Sequence, residues 1–386
     1  MRFCLFTLVL FFSVSLNAGS ISFEIGESFD EYLDRVSRYL DEEKRWINSS
    51  NKSFEKAAVM PFDIKASDNC SSKTGILFLH GLSDSPYSLK SLSQALKTDC
   101  VWVRGVLLDG HGTKAEDLLD VSRNDWRKTV KTFADDLSIN VDKLYVVGFS
   151  TGGGLALDYA ATTKIGNLSG LVLISPLLKI NSSVDWLLVA LSPFLNWLDN
   201  HESDDYAKYL SVPVPAMKEV YKLAGEVRKV LIKKSFEIPV FIAASMQDAT
   251  LDTSVTLNYF SNSLVHPLSE MKLYDANAKE SRPMHDKRVQ VMSSYYNEFK
   301  ISSLSHLAVH ISPDDPHYGK NGDYRNCSWY IDKPEFQLCK SDLNNWYGEQ
   351  GDLLKSKSEY GARITWNPAF NELVTEISGF IERTSK

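Results

Sequence analysis

Two kinds of hydrophobic pattern alternate along this chain. Short runs that are apolar at nearly every position occur at 75–80, 101–108, 143–148, 170–175 and 238–244. Between them, at 86–97, 114–137 and 154–163, apolar residues recur every three or four positions among polar ones. A run without polar alternation predicts a strand buried on both faces, and the longer stretches predict helices that cover it. The order strand, helix, strand, helix predicts an α/β fold with a mostly parallel central sheet flanked by helices. Ahead of the first strand, 27–46 places Phe29, Leu33, Val36 and Leu40 on one face of an N-terminal helix. A further run at 271–275 also reads as a strand.

Two segments break the alternation. Residues 176–236 contain Val184, Trp186, Leu187, Leu188, Val189 and Leu191, then Phe194, Leu195, Trp197 and Leu198. That is more apolar surface than a connector needs, so a helical cap insertion is expected. Residues 312–365, rich in Tyr, Trp, Asn and Asp, predict an irregular insertion; 368–381 then resumes an amphipathic pattern that should pack back onto the sheet.

The beginning of the chain reads differently again. Arg2 is followed by an apolar run at 3–16 and by small residues Ala18, Gly19 and Ser20, the pattern of a secretory signal peptide over 1–19. The run is short for a membrane span; an uncleaved anchor is the other reading, and the cut site is left open. One domain over 20–386, with the two insertions, follows. Cys4 would leave with the signal, and Cys70, Cys100, Cys327 and Cys339 remain, an even set suited to an oxidising, secreted or periplasmic setting. Three pairings are open. If 75–80 and 101–108 are adjacent strands, Cys70 and Cys100 start them side by side, so the expected bridges are Cys70–Cys100 and Cys327–Cys339, each worth roughly 3 to 4 kcal/mol in the chain-entropy account.

A formal net charge of −7 without dense Lys/Arg clusters argues against a nucleic-acid partner. The 44% hydrophobic content supports a substantial core. No metal-ligand spacing of the His-Glu-x-x-His kind occurs, nor a phosphate-cradling glycine loop, so neither metal nor cofactor is expected.

Candidate chemistry centres on Gly148-Phe149-Ser150-Thr151-Gly152, a G-x-S-x-G sequence between a strand run and a helix run. A serine on so sharp a turn leaves no room for side chains two before and two after it. His80-Gly81-Leu82-Ser83 ends the first core strand. Its Leu82 N–H, with the N–H of Thr151, could form an oxyanion hole, in which one donor is typically worth about 2.7 to 4 kcal/mol in the transition state.

These segments resemble the α/β-hydrolase superfamily, particularly its carboxylesterase and monoacylglycerol-lipase branch. The resemblance is carried by Leu79-His80-Gly81-Leu82-Ser83-Asp84-Ser85-Pro86, by Gly110-His111-Gly112-Thr113 and by the serine turn. It covers about 76–180 and resumes near 239–248 and His306; Asp109 stands where the branch usually has proline. The resemblance implies an α/β-hydrolase fold and the chain order Ser, acid, His. The acid is then Asp248, at the end of the 238–244 run, with Asp252 as the competitor. The histidine is His306, after a strand-like 298–305, with His285 as the competitor. His111 is read as structural, and His310 and His317 as surface residues of the insertion.

Ser150, Asp248 and His306 would together hydrolyse a carboxylic ester through an acyl-enzyme. The cap residues Trp186 and Trp197 would form an apolar acyl pocket, a lid resting transiently on a membrane surface, or ordinary helix packing. A small-molecule or lipid ester is the expected partner. A serine peptidase or acyltransferase with the same triad, or a secreted binding protein of the same fold, are the alternatives.

Overall fold

A computed structural model of the chain describes residues 21, 26–233, 236–279 and 284–385. The expected signal segment lies outside the described residues. Among those described, eight strands form the main sheet: β1 (Phe62–Ile64), β2 (Thr74–Leu79), β3 (Val101–Val106), β4 (Lys143–Phe149), β5 (Leu168–Ile174), β6 (Val240–Ser245), β7 (Glu270–Asp275) and β8 (Val289–Ser293). Their spatial order is β1-β3-β2-β4-β5-β6-β7-β8; β1 runs antiparallel to β3 and every other neighbour is parallel. This is the mostly parallel, helix-flanked sheet that the alternation predicted, in the α/β-hydrolase fold that the resemblance implied.

The helices are, in chain order, α1 (Phe29–Glu43), α2 (Lys52–Val59), α3 (Tyr87–Leu96), α4 (Arg123–Ser138), α5 (Thr151–Thr162), α6 (Leu187–Leu191), α7 (Val214–Lys233), α8 (Thr253–Asn262), α9 (Glu335–Ser341), α10 (Asp352–Lys355) and α11 (Phe370–Thr384). The two cores explain the uninterrupted strand runs. Leu77, Leu79, Leu144, Val146, Leu171 and Leu173 pack into one layer with residues of α1, α4, α5 and α7. Their neighbours Ile76, Phe78, Tyr145, Val147, Val172 and Ile174 point into the other, with α3 and α11. Because both faces are covered, successive strand residues are all apolar and the usual alternation vanishes.

Several boundaries differ from expectation for local reasons. The helix expected over 114–137 begins at Arg123, where Ser122 and Asp125 form a capping box; before it, Gly110 and Gly112 turn the chain with φ of +80° and +82°. Residues 298–305 form no strand. A 3-10 turn at Asn297–Phe299 and left-handed Lys300 interrupt them, leaving single bridges from Ile301 to Tyr296 and Tyr347. The last strand of the sheet is β8.

The 176–236 segment is less helical than its composition suggested. Its first part holds only the five-residue α6, while α7 is the crossover between β5 and β6 and buries Val220, Leu223, Ala224, Val227 and Leu231 against the sheet layer. Residues 312–365 carry β9 (Tyr347–Gly348) and β10 (Ala362–Arg363), a parallel pair. The structure contains the disulfides Cys70–Cys100, with Cα atoms 5.5 Å apart, and Cys327–Cys339, at 6.0 Å. The first is possible because Thr74 pairs with Val101 in adjacent strands.

Candidate active site

β4 ends at Phe149, and Ser150 sits between it and α5 with φ +54°, in the left-handed region that costs a non-glycine residue strain. The turn is over-determined by its surroundings. Ser150 N–H donates to Ile174 O (3.0 Å), while its carbonyl accepts from Gly154 N–H (3.1 Å) and Leu177 N–H (2.9 Å). The flanking glycines are obligatory here: a Cβ on Gly148 would lie 2.4 Å from Gly152 O, and one on Gly152 would lie 2.1 Å from Leu79 O. Such backbone contacts cannot be relieved by turning a side chain.

Two loops meet this serine. Beyond β6, Asp248 receives the N–H groups of Thr250 (2.7 Å) and Leu251 (2.8 Å) on Oδ1. Its Oδ2 lies 2.6 Å from His306 Nδ1, and His306 Nε2 lies 3.0 Å from Ser150 Oγ. A carboxylate only accepts, so Nδ1 carries the proton and Nε2 presents its lone pair to the serine hydroxyl. Asp248 and His306 are buried and Ser150 is 9% exposed. The chain of contacts can therefore draw the hydroxyl proton toward an oriented imidazole.

The competing residues lie elsewhere. Asp252 is the N-cap of α8, accepts Val255 N–H (3.3 Å) and pairs with Lys179. His285 does not line the cavity beside Ser150. Expected on the surface, His310 and His317 are in fact buried. His310 packs on Phe149 with ring centres 4.3 Å apart, and burial drives its pKa down to about 3. His317 is held between Asp205 (3.0 Å) and Asp323. Burial works against its cation, but the hydrogen bonds and charges of the two carboxylates outweigh that and raise its pKa.

The loop that carries Leu82 is fixed by two neutral histidines. His80 Nε2 accepts Leu108 N–H (3.0 Å) and His111 Nε2 accepts Ser83 N–H (3.1 Å). Burial lowers both pKa values, His111 to about 4, so each ring keeps the lone pair that these bonds need. Asp109, the departure from proline, is buried; its Oδ2 accepts from Thr129 Oγ1 (2.5 Å) and its carbonyl from Trp126 Nε1 (3.0 Å). Gly81 lets this loop approach, since a Cβ there would sit 3.2 Å from Ser150 Cβ. Thr151 is the first residue of α5, and the N–H groups of a first helical turn lack intrahelical acceptors.

A cavity of about 310 Å³ holds Ser150, His306, Leu82 and Thr151. Its lining includes apolar Leu177, Ile180, Leu210, Val212, Met217 and Val220 and polar or charged Asp84, Asp205, Lys208, Tyr324 and Arg363. Trp186 and Trp197 do not line it. Glu349 and Arg363, which adjoin the Asp248 and His306 loops, were not anticipated; no motif or periodicity in 312–365 marks them.

Comparison with known proteins follows the same segments. A family profile described as "Serine aminopeptidase, S33" matches residues 71–203. A thermostable monoacylglycerol lipase from Bacillus sp. (strain H-257) is 33% identical over 86 residues, which is 22% of this chain and 34% of that protein. The matched part thus spans about a third of that relative. Among solved structures, one described with the metagenome-derived lipolytic enzymes LipS and LipT is 21% identical, with a TM-score of 0.49, covering 58% of this chain and 94% of the other. A soluble variant of monoglyceride lipase from Saccharomyces cerevisiae is 16% identical, with a TM-score of 0.46, covering 56% of this chain and 82% of the other.

Proposed function

Since the chain belongs to the α/β-hydrolase superfamily, we propose that it is a serine-dependent carboxylic ester hydrolase in which Ser150 is the nucleophile, His306 the general base and acid, and Asp248 the residue that orients and stabilises the imidazolium. The observation that carries this reading is the continuous contact from Ser150 Oγ through His306 to Asp248, at 3.0 and 2.6 Å, on the wall of a cavity. Ser150 Oγ adds to the ester carbonyl as His306 Nε2 takes its proton; the oxyanion forms against the N–H groups of Leu82 and Thr151. Collapse expels the alcohol, which leaves with the proton from His306. Water then gives a proton to His306, attacks the acyl-enzyme and releases the carboxylic acid and a free Ser150 hydroxyl.

The apolar residues in the cavity lining favour an acyl chain as the group held there. Val184, Trp186, Phe194 (89% exposed) and Leu198 are exposed apolar residues of one segment, which favours transient contact with a lipid surface. Two disulfides and the charged-then-apolar opening sequence support a secreted or periplasmic location. Among the described residues, no helix is long and apolar enough to cross a membrane.

The family's description keeps an aminopeptidase reading in play, which needs a carboxylate free to hold a substrate ammonium. Asp84 and Asp205 line the cavity; the Asp205 oxygens already accept from His317 (3.0 Å), Tyr318 OH (2.7 Å) and Ala207 N–H (2.9 Å), and Asp84 is buried, accepts from Ser88 Oγ (2.6 Å) and has its anion disfavoured by burial. Ester hydrolysis is therefore the better fit. The test is turnover of p-nitrophenyl esters of several chain lengths beside aminoacyl p-nitroanilides, with Ser150→Ala and His306→Ala. Ester turnover that falls about 10⁴-fold or more in both variants supports the reading; turnover of the anilides alone assigns a peptidase, and turnover of neither a binding protein.

A further inference from the structure

The disulfide-bearing segment 312–365 delivers a buried carboxylate to the two loops that the triad depends on. Glu349 follows β9 and is 2% exposed. Its Oε2 accepts the main-chain N–H of His306 (3.0 Å) and of Ala249 (3.4 Å), and Arg363 Nη2 (2.7 Å); its Oε1 accepts Gln350 N–H (2.9 Å). Ala249 is the neighbour of Asp248, so a single carboxylate ties together the two loops whose side chains must meet. Arg363, on β10, also donates to Thr250 Oγ1 (3.0 Å), and Thr250 N–H is one of the two donors to Asp248 Oδ1.

Both strands of the segment are seated where this tie requires. Tyr347 N–H donates to Lys300 O and its carbonyl accepts Ser302 N–H, each at 2.8 Å; Glu349 N–H donates to Ser303 Oγ (3.1 Å). A Cβ at Gly348 would fall 2.1 Å from Ser302 Oγ, so a larger residue there would have to turn that hydroxyl away from the Tyr347 carbonyl to which it donates. On the other strand, Arg363 N–H donates to Asn326 O (2.9 Å), the residue before the Cys327–Cys339 bridge. A carboxylate buried this deeply is tolerated when several donors satisfy it, and here every donor belongs to a triad loop or to the segment itself.

We propose that Glu349, held by Arg363, is a positioning residue that sets the spacing of the Asp248 and His306 loops, making 312–365 a working part of the active site. The proposal rests on the ester-hydrolase reading. It separates two effects that a packing role would not. Loss of the tie lets the base drift from the nucleophile, which lowers kcat with little change in KM. The charged groups around His306 are Asp248, Glu349 and Arg363, and the titratable His310 beside it is kept neutral by burial. Neutralising Glu349 leaves the Arg363 cation to disfavour the imidazolium, whereas removing Arg363 leaves the Glu349 anion to favour it.

The experiment compares Glu349→Gln, Arg363→Met and Arg363→Lys in the full, disulfide-bonded protein, with folding checked by near-UV circular dichroism and Tm. The readouts are kcat and KM for p-nitrophenyl butyrate as a function of pH. The expected result for Glu349→Gln is a kcat lower by about 10²-fold, the scale of a misplacement near 1 Å, with KM within about threefold. The acid limb of kcat/KM moves to lower pH in Glu349→Gln and to higher pH in Arg363→Met, and Arg363→Lys retains most of the wild-type rate. Folded Glu349→Gln with wild-type kcat, or limbs that do not move in opposite directions, would overturn the proposal. Should Glu349→Gln not fold, Glu349→Asp carries the test, with kcat lowered and the limb unmoved. Failure of the underlying reading looks different: wild-type protein then shows no ester turnover that Ser150→Ala removes.

Discussion

Gly152→Ala is the smallest change that should disable the site, because it acts on the turn without touching the reacting groups. The added Cβ would lie 2.1 Å from Leu79 O, 2.6 Å from Leu79 C and 2.7 Å from His80 O. Non-bonded carbon needs roughly 3.5 Å, so the start of α5 must move away from the end of β2 by about 1 Å. Ser150 and Thr151 precede this residue directly and would move with it, while His306 and Asp248 are anchored on other loops. A displacement of that size costs about 10²-fold in kcat, and the strain of overpacking about 1 to 3 kcal/mol of stability. Gly166→Ala is the control, since nothing lies within 4 Å of a Cβ there. Steady-state kinetics on p-nitrophenyl butyrate with calorimetric Tm would read both effects. A Gly152→Ala protein with wild-type kcat and Tm would refute the argument that the turn is held by backbone contact.

Three other changes test separate parts of the structure. Asp248→Asn should lower kcat by about 10⁴-fold at unchanged Tm, since an amide can present its N–H and favour the wrong imidazole tautomer; a loss below about tenfold would count against the orienting role. Asp63→Asn removes the charge facing buried Arg104, which it contacts at 2.8 Å. Loss of one partner of a buried pair costs about 3 to 5 kcal/mol, with Asp136, at 2.5 Å, holding the effect to the lower end; urea unfolding measures it, and a change under about 1 kcal/mol would contradict it. Asp84 is buried and its pKa is raised to about 6 from 3.8, chiefly by desolvation. Its folded state binds the proton more tightly than the unfolded state, so stability falls as pH rises from about 4 to about 6, by up to roughly 3 kcal/mol. Asp84→Asn, which keeps an acceptor for Ser88 Oγ, should therefore gain Tm over wild type at pH 7 and lose that advantage at pH 4; an equal Tm difference at both pH values would refute the desolvation argument.

The parallel strands were legible because a strand covered on both faces has no polar positions to break its run, as β4 and β5 illustrate. The serine turn was legible because its glycines are a steric necessity. β1 and β8 were not: β1 has three residues, and β8 is an edge strand in which only Val289 is buried, so neither forms a continuous apolar run. Residues 298–305 borrowed the look of a strand from Phe299, Ile301 and Leu304, yet Lys300 turns left-handed between them. The contact of His306 with Ser150 nonetheless forms, because the loop after β8 reaches the serine without a strand to carry it. His310 and His317 read as surface residues since polar, aromatic neighbours resemble loop composition; His317 is covered by the fold of that same loop-like segment, around Tyr318 and Tyr324, and His310 by Phe149 at the end of β4. Glu349 was invisible for another reason. Its partners are main-chain N–H groups 43 and 100 residues away, and main-chain donors leave no mark in a sequence.

The most direct test of the central claim is covalent labelling of the disulfide-bonded protein with a fluorophosphonate, followed by mass mapping of the modified residue. Reaction at Ser150 alone, abolished in Ser150→Ala and slowed at least about 10²-fold in His306→Ala, is the predicted result. A protein that stays unlabelled, or that reacts at another serine with equal speed in both variants, would contradict the assignment of Ser150 as an activated nucleophile.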